Sequence, residues 1–258
     1  MKHWFLSDIH LKDINERNGN ILLRFLFYLN ENPKNNTLYF LGDIFDFWLS
    51  DGKAFQNHYA LLVDEIKKFK SAGGTVFYFE GNHDFHVDRF WTKQLDIPVY
   101  EDQAYFEIDG LKVRCEHGDY INPDDKAYIK YRETIRKPWI EWIGHVVPGF
   151  FWKWFGERQS AKSRKKTGHY AKNNVEGLRT MIQAYAMRLY SGEDFDLLIT
   201  GHMHVFDDYS FKGRHGKTIR SINLGTWLDK PYLLKIENGQ VAIENALDLV
   251  EMNLSNKV

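Results

Sequence analysis

The stretch TVFYFEGNHD, residues 75–84, joins a short apolar run to a polar loop. Gly73-Gly74 precedes the run, and such a boundary is typical of a short buried strand. The loop then supplies an amide oxygen from Asn82, an imidazole from His83 and a carboxylate from Asp84. Because α/β sheets bind ligands at the carboxyl ends of their strands, the stretch predicts a strand that ends in a polar site.

Four further loops repeat this arrangement, in which an apolar run is followed by Asp or His residues. They are Asp8-Ile9-His10, Gly42-Asp43, His117-Gly118-Asp119 and Gly201-His202-Met203-His204. Helical spacing of apolar residues lies between the first three predicted strands, at residues 22–29 and 59–69. This β-α-β-α-β order predicts an α/β layered fold with a partly parallel sheet, so that the polar loops converge on one crevice.

The second half of the chain adds a hairpin and a helical segment. Asp109-Gly110, between the strand-like residues 105–108 and 112–115, predicts a two-residue β-hairpin. Helical spacing dominates residues 120–194, with apolar positions at Val175, Leu178, Ile182, Tyr185 and Leu189. Strand-like segments return from residue 197 onward. We therefore predict a two-sheet α/β core, residues 1–119 and 195–258, interrupted by a helical cap insertion at residues 120–194.

The composition is that of an ordinary globular chain, with 43% hydrophobic and 27% charged residues and a formal net charge of −1. Positive charge is concentrated between residues 152 and 180, which contain eight basic and two acidic residues. This distribution predicts a local anionic partner within the insertion. Nucleic acid is not expected as a partner, because the rest of the chain is acidic and offers no basic groove.

Cysteine usage and the N-terminal sequence indicate the compartment. The single cysteine, Cys115, excludes an intramolecular disulfide and fits a reducing environment. Residues 2–8 contain no basic-plus-apolar signal segment, and no window approaches the ~20 apolar residues of a membrane span. We therefore expect a cytoplasmic protein.

Metal binding is predicted from the residue types in the five loops. Five of the eleven histidines lie there: His10, His83, His117, His202 and His204. Thiolate ligands are absent from these loops, which excludes a Cys-rich structural zinc site. Asp, Asn and His donors suit Mn²⁺, Fe²⁺ or Zn²⁺. The donors are too many for one ion, so we expect two divalent ions that share a carboxylate, a combination suited to displacement at phosphorus.

The five loops, in this order and with suitable spacing, resemble the five signature motifs of the calcineurin-like metallophosphoesterases. The resemblance implies a four-layer α/β/β/α sandwich and two metal ions, with Mn²⁺ favoured and Fe²⁺ or Zn²⁺ as alternatives. The implied ligands are Asp8, His10, Asp43 and His204 for the first metal, and Asp43, Asn82, His117 and His202 for the second. It also implies that Asp43 bridges the two metals, that His83 is catalytic and that Asp84 orients it, with Asp46 and Asp119 as supporting carboxylates.

The start of the insertion resembles that of one subfamily, the UDP-2,3-diacylglucosamine pyrophosphohydrolases. Asp124-Asp125, Tyr128, Arg132 and Lys137-Pro138-Trp139 carry this resemblance. It implies cleavage of the pyrophosphate in a nucleotide-linked glycolipid, which releases UMP and 2,3-diacylglucosamine 1-phosphate for lipid A synthesis. The residues implied to face the substrate are Asn82, His83, Asp125, Tyr128, Arg132, Ser163, Arg164 and His202.

The insertion also contains an aromatic and basic segment with two interpretations. Half of the tryptophans lie in it, namely Trp139, Trp142, Trp152 and Trp154. They either form the core of the cap or contact acyl chains and the bilayer interface, and the basic run at residues 158–166 would then bind a phosphate headgroup. The second interpretation predicts peripheral association with the inner membrane.

Two positions differ from the subfamily pattern, so the sequence allows more than one substrate. The best-known branch of the subfamily carries Arg where this chain has His83 and Glu where it has Asp46. Hydrolysis of another phosphodiester or pyrophosphate, in a nucleotide or a nucleic acid, is therefore the alternative. A non-enzymatic scaffold is disfavoured, because every implied metal ligand is present.

Overall fold

Two β-sheets lie at the centre of the structure, a computed structural model that describes residues 1–146 and 174–255. The six-stranded sheet has the order β13-β12-β1-β2-β4-β6. Its strands are β1 (Lys2–Leu6), β2 (Asn36–Leu41), β4 (Thr75–Phe79), β6 (Val99–Tyr100), β12 (Tyr232–Glu237) and β13 (Gln240–Asn245). The strands β1, β2, β4 and β6 are parallel, as the β-α-β-α-β order predicts for the first three.

The five-stranded sheet has the order β10-β11-β9-β8-β7. Its strands are β7 (Ala104–Ile108), β8 (Leu111–Cys115), β9 (Leu197–Thr200), β10 (Phe206–Lys212) and β11 (Thr218–Leu224). A small parallel pair joins β3 (Trp48–Leu49) to β5 (Asp84–Phe85). The predicted hairpin is confirmed, since β7 and β8 pair across Asp109-Gly110, whose φ angles of 49° and 83° suit a tight turn.

Eight α-helices are described in these residues. They are α1 (Arg17–Leu29), α2 (Lys53–His58), α3 (Ala60–Ser71), α4 (Asp88–Trp91), α5 (Lys126–Ile135), α6 (Pro138–Val146), α7 (Val175–Gly192) and α8 (Ala246–Ser255). The helical spacing at residues 22–29 and 59–69 corresponds to α1 and α3. The last helix, α8, was not predicted, because within it the described buried hydrophobic residues are only Ala246 and Val250.

Alternation along the strands explains why the fold has four layers. In β1, Trp4 and Leu6 face the helices α1, α3 and α8, whereas Phe5 belongs to the apolar layer between the two sheets. On the other sheet, Ile199 contributes to the layer between the sheets and Leu198 packs beneath α7. The resulting order is helices, sheet, sheet and helix, so the predicted α/β/β/α sandwich is confirmed.

The predicted insertion at residues 120–194 contains α5, α6 and α7. Leu178, Ile182 and Tyr185 of α7 are buried against the five-stranded sheet, so this helix forms the fourth layer. The division of the chain into core and cap stays a prediction. Ser163 and Arg164, the basic run at 158–166, and Trp152 and Trp154 lie outside the described residues. Within residues 1–146 and 174–255, no helix is long and apolar enough to span a membrane.

Two phenylalanines on α1 provide a test of this packing. Phe25 is fully buried, with its ring centroid 5.3 Å from that of Trp4, whereas Phe27 is 49% exposed. We expect Phe25→Ala to lower the free energy of unfolding by about 3–5 kcal/mol, because it opens a cavity between α1 and the sheet. Phe27→Ala, the matched control, should change it by no more than about 0.5 kcal/mol in urea denaturation. Equal effects of the two substitutions would contradict the packing.

Candidate metal centre

The predicted ligand loops share an unusual backbone conformation. Five of the predicted ligands lie in the left-handed region, with φ angles of 50° for Asp8, 50° for His10, 53° for Asp43, 68° for His202 and 56° for His204. Residues other than glycine adopt this region at a cost of about 1–3 kcal/mol and persist there mainly at functional sites. The loops therefore have a geometry that the rest of the fold must maintain.

Glycines allow these loops to approach one another. A Cβ atom on Gly81 would lie 2.1 Å from Asp43 Oδ1, and one on Gly201 would lie 2.2 Å from Asp8 Oδ2. Gly42 has a φ of 83°, and a Cβ there would lie 2.5 Å from His117 Nδ1. Larger residues at these positions would displace the ligands, which explains why glycine recurs in the motifs.

Asp84 joins two of the loops. One carboxylate oxygen accepts hydrogen bonds from the backbone N–H groups of Gly81, at 2.8 Å, and Asp43, at 2.9 Å. The other oxygen accepts from the N–H of Ile44, at 2.7 Å, and from the hydroxyl of Tyr78, at 2.5 Å. Asp84 was expected to orient His83, but in the structure its carboxylate is used to hold the loops together.

The first group of ligands surrounds the free oxygen of Asp8. Asp8 Oδ2 accepts hydrogen bonds from the hydroxyl of Ser7 and from the N–H of His202, so Oδ1 is the oxygen that faces the site. His204 Nε2 lies 3.2 Å from this oxygen and 2.9 Å from His10 Nε2. Ligand atoms of Asp8, His10, Asp43 and His204 all lie within 4.8 Å of one another.

The second group lies on the other side of Asp43. Asp43 Oδ1 accepts from the N–H of His83 at 2.9 Å, and Oδ2 lies 3.6 Å from His117 Nε2 and 3.9 Å from His10 Nε2. His202 Nδ1 lies 3.3 Å from His117 Nε2 and 3.1 Å from Asn82 Oδ1. Asp43 therefore lies between the two groups, in the position predicted for a bridging carboxylate.

The donors fit divalent cations. Asp8 Oδ1 is buried beside two imidazole nitrogens, Nε2 of His204 at 3.2 Å and Nε2 of His10 at 3.9 Å, an arrangement in which one cation can be bound by all three atoms. His117 Nδ1 donates to the carbonyl oxygen of Leu41 at 2.8 Å, which directs the lone pair of Nε2 into the site. Oxygen and imidazole donors of this kind suit Mn²⁺, Fe²⁺ or Zn²⁺.

The protonation states of the metal-free site also fit the binding of divalent cations. Burial raises the pKa of Asp43 well above its ordinary value. Burial opposes the charged form of His117, but the carboxylates of Asp43, Asp119 and Asp8 raise its pKa to about 9. The Asp43–His117 pair thus keeps a proton at neutral pH, and a bound cation would displace it. Burial, and after it His117, lowers the pKa of His202 to about 4, so its imidazole is neutral.

His83 lies beside the first group, with its ring centroid 4.8 Å from that of His10. Its Nδ1 donates a hydrogen bond of 2.8 Å to the carbonyl oxygen of Asp46. This carbonyl, rather than the carboxylate of Asp84, fixes the orientation of the ring, and Nε2 is left for the site. Burial lowers the pKa of His83.

A cavity of about 770 Å³ opens over the metal centre. Its polar end includes Asp43, Asn82, His83, His202 and His204. Its apolar wall includes Ala127, Tyr131, Leu178, Met181 and Met203. The spacing of apolar residues predicted that Leu178 lies on a helix, but Leu178 was not among the predicted site residues. The periodicity of α7 shows that Leu178 is buried but not which neighbour it faces.

The substrate residues predicted on α5 have different positions. Asp125 and Tyr128 line the cavity, and the Asp125 carboxylate also caps α5 by accepting from the N–H of Tyr128 at 2.9 Å. Arg132 was expected to face the substrate. It is only 5% exposed, and its guanidinium is bonded to Asp119, at 2.6 Å, and Asp102, at 2.6 Å. Arg132 is not among the residues that line the cavity.

Comparison with known proteins gives a consistent result. The sequence profile of the family "Calcineurin-like phosphoesterase" matches residues 1–206. A protein of Aeromonas salmonicida named UDP-2,3-diacylglucosamine hydrolase is 28% identical over 95% of this chain and 93% of its own length. A protein of the same name from Aliivibrio fischeri is 27% identical over 90% of this chain and 92% of its own length. A third protein of this name, from Vibrio parahaemolyticus, is 27% identical over 93% of this chain and 96% of its own length.

The close approach at Gly81 can be tested through metal content. We expect Gly81→Ala to lower metal affinity by about 10- to 100-fold, because the new Cβ displaces the Asp43 carboxylate that supports both groups of ligands. Gly192→Ala is the control, since a Cβ there has no atom of the chain within 4 Å. Metal analysis after dialysis against Mn²⁺ measures the difference, and full metal content in both variants would contradict it.

Proposed function

We propose that this chain, which belongs to the calcineurin-like phosphoesterase family, hydrolyses the pyrophosphate of UDP-2,3-diacylglucosamine to UMP and 2,3-diacylglucosamine 1-phosphate. It is a metal-dependent phosphoesterase, and its relatives named UDP-2,3-diacylglucosamine hydrolase align over nearly their full lengths. The finer points, namely Mn²⁺ as the metal, the role of each site residue and attachment to the membrane, are part of this proposal.

The cavity is the observation that carries the proposal. It joins, in one space of about 770 Å³, a phosphate-directed group of Asp, Asn and His side chains to a wall of Tyr, Leu and Met side chains. A substrate that carries a charged pyrophosphate beside acyl chains has the same division into polar and apolar parts. A nucleotide without acyl chains has less apolar surface to bury against Leu178, Met181 and Met203 than the diacylated substrate has.

Different site residues would contribute to different parts of the hydrolysis. Two bound cations would supply charge stabilisation and an activated water for displacement at phosphorus. Asp8, His10, Asp43 and His204 would hold one cation, and Asp43, Asn82, His117 and His202 the other. The loops hold these donors in place before substrate binds, which removes a reorganisation cost. The Asp46 carbonyl holds the Nδ1 proton of His83, so Nε2 faces the leaving phosphate; the negative charge of bound substrate would favour protonation of Nε2 there, against the effect of burial on the His83 pKa.

UMP release is the direct test of the proposed reaction. With Mn²⁺, the protein should convert UDP-2,3-diacylglucosamine to UMP, and chelation should abolish turnover reversibly. We expect His83→Ala to lower kcat by about 10²- to 10⁴-fold through loss of proton transfer, with metal content unchanged. Asp64→Asn, a substitution at an exposed position on α3, is the control that shows any effect of preparing a variant protein.

The alternative substrate class is tested in the same assay. His83 is the observation that favours it, since the best-known branch has Arg there. Rapid cleavage of bis-p-nitrophenyl phosphate or of a simple nucleotide, with UDP-2,3-diacylglucosamine left intact, would replace the lipid substrate by another phosphodiester or pyrophosphate.

Association with the inner-membrane surface is the second part of the proposal. Trp139 and Trp142 lie three residues apart on α6 and are 51% and 64% exposed. Residues three apart share one face of a helix, and exposed tryptophans suit the boundary between headgroups and acyl chains. Glu141 pairs with Arg89, which attaches α6 to the residues after the Gly81–Asp84 loop.

Vesicle sedimentation tests this surface. We expect the wild-type protein to bind vesicles of phosphatidylglycerol and phosphatidylethanolamine, and the double variant Trp139→Ala, Trp142→Ala to bind at least about fivefold more weakly, because two interfacial anchors are lost. Leu61→Ala, which removes a 59% exposed side chain from α3, is the control. Unchanged binding by the double variant would show that α6 is not the contact.

A further inference from the structure

Asp119 lies between α5 and the second group of metal ligands. One carboxylate oxygen accepts a hydrogen bond from the hydroxyl of Tyr128 and lies 3.9 Å from His202 Nδ1. The other accepts from Arg132 Nε at 2.6 Å. Asp119 is only 6% exposed, so these contacts form inside the protein. The carboxylate thus connects a helix to a predicted metal ligand. It belongs to neither predicted set of four ligands, although one of its oxygens lies within 4.8 Å of ligand nitrogens of His117 and His202.

Tyr128 contacts two of those ligands directly. Its ring centroid lies 4.8 Å from that of His202, and its hydroxyl oxygen lies 3.2 Å from Asn82 Oδ1. A hydroxyl has one hydrogen to donate, and the charged oxygen of Asp119 is the stronger acceptor. The amide oxygen of Asn82 is then left facing His202 Nδ1, at 3.1 Å, with its lone pairs available to a cation.

The end of α5 that carries Arg132 is firmly attached. Besides Asp119, its guanidinium bonds to the hydroxyl of Tyr120 at 2.8 Å and to the carboxylate of Asp102 at 2.6 Å. One turn further, Arg136 pairs with Glu80 at 2.6 Å, and the carbonyl oxygen of Ile135 accepts from His86 at 2.8 Å. Glu80 and His86 flank the Gly81–Asp84 loop, so this helix and that loop hold a common position.

We propose that Tyr128 is a positioning residue for the second metal, and that Asp119, held by Arg132, fixes its hydroxyl so that Asn82 and His202 face one cation. In this role α5 sets the affinity of one metal position through its contact with two ligands. The proposal rests on the two-metal site of the proposed function but not on the identity of the substrate, and it adds to the substrate contact expected for Tyr128.

A pair of tyrosines on α5 allows a matched test. Tyr131 also lines the cavity, but its hydroxyl makes no hydrogen bond to any residue in the described part of the chain. Tyr128→Phe and Tyr131→Phe each remove one hydroxyl from the same helix. The metal-free protein is titrated with Mn²⁺ in a calorimeter to measure the affinity of each metal position. Electron paramagnetic resonance then distinguishes protein with one bound Mn²⁺ from protein with two.

We expect Tyr128→Phe to lower the affinity of one of the two positions for Mn²⁺ by about 10- to 100-fold and to leave the affinity of the other unchanged. Losses of this size are typical when a residue that orients a metal ligand is replaced. Asp119→Asn should weaken the same position, and Tyr131→Phe should weaken neither. Excess Mn²⁺ should restore kcat in Tyr128→Phe, since the ligands themselves are intact.

Two outcomes would overturn the proposal. Unchanged affinity at both positions, with only a raised KM, would make Tyr128 a substrate contact alone. Equal loss at both positions with a lowered Tm would mean that the hydroxyl supports the fold. Because metal binding is measured without substrate, failure to hydrolyse UDP-2,3-diacylglucosamine would disprove the proposed function and leave this result standing.

Discussion

Two buried carboxylates, Asp8 and Asp43, impose the constraint on which the rest of the structure depends. Each uses one oxygen to accept a backbone N–H, from His202 and His83 respectively, and turns the other toward a shared space. Such oxygens are costly to bury without a cation or a proton. The fold maintains them by tying four loops together, and the same contacts that align the carboxylates also align the imidazoles.

The layered architecture makes this alignment possible. Parallel strands of one sheet end beside strands of the other, so loops that are far apart in sequence meet at one edge. Glycine at positions 42, 81 and 201 then lets the backbone of these loops approach the side chains of His117, Asp43 and Asp8 more closely than a residue with a Cβ atom could. The helices α5 and α7 both contribute side chains to the cavity at this edge, and most of its apolar wall comes from them.

Local patterns in the sequence were sufficient for the two-sheet α/β core and for the donor types, whereas the four-layer sandwich was implied by the resemblance to the metallophosphoesterases. Strand alternation and glycine-bounded loops are visible residue by residue. The partner of a side chain depends on tertiary contacts, and there the predictions were incomplete. Arg132 pairs with Asp119 rather than facing the cavity, and Asp84 joins two loops while a backbone carbonyl orients His83. Helix α8 was missed because few of its residues are buried, which leaves a weak periodic signal.

The pairing of β1 with β12 has a consequence for synthesis of the chain. Lys2 lies opposite Glu237, and the carbonyl oxygen of Asp8 accepts from the N–H of Trp227, so the first strand completes its contacts only with residues near the other terminus. Contacts of such high contact order form late. The strand and the loop that carries Asp8 and His10 therefore cannot complete these contacts until residues 227–237 have been synthesised.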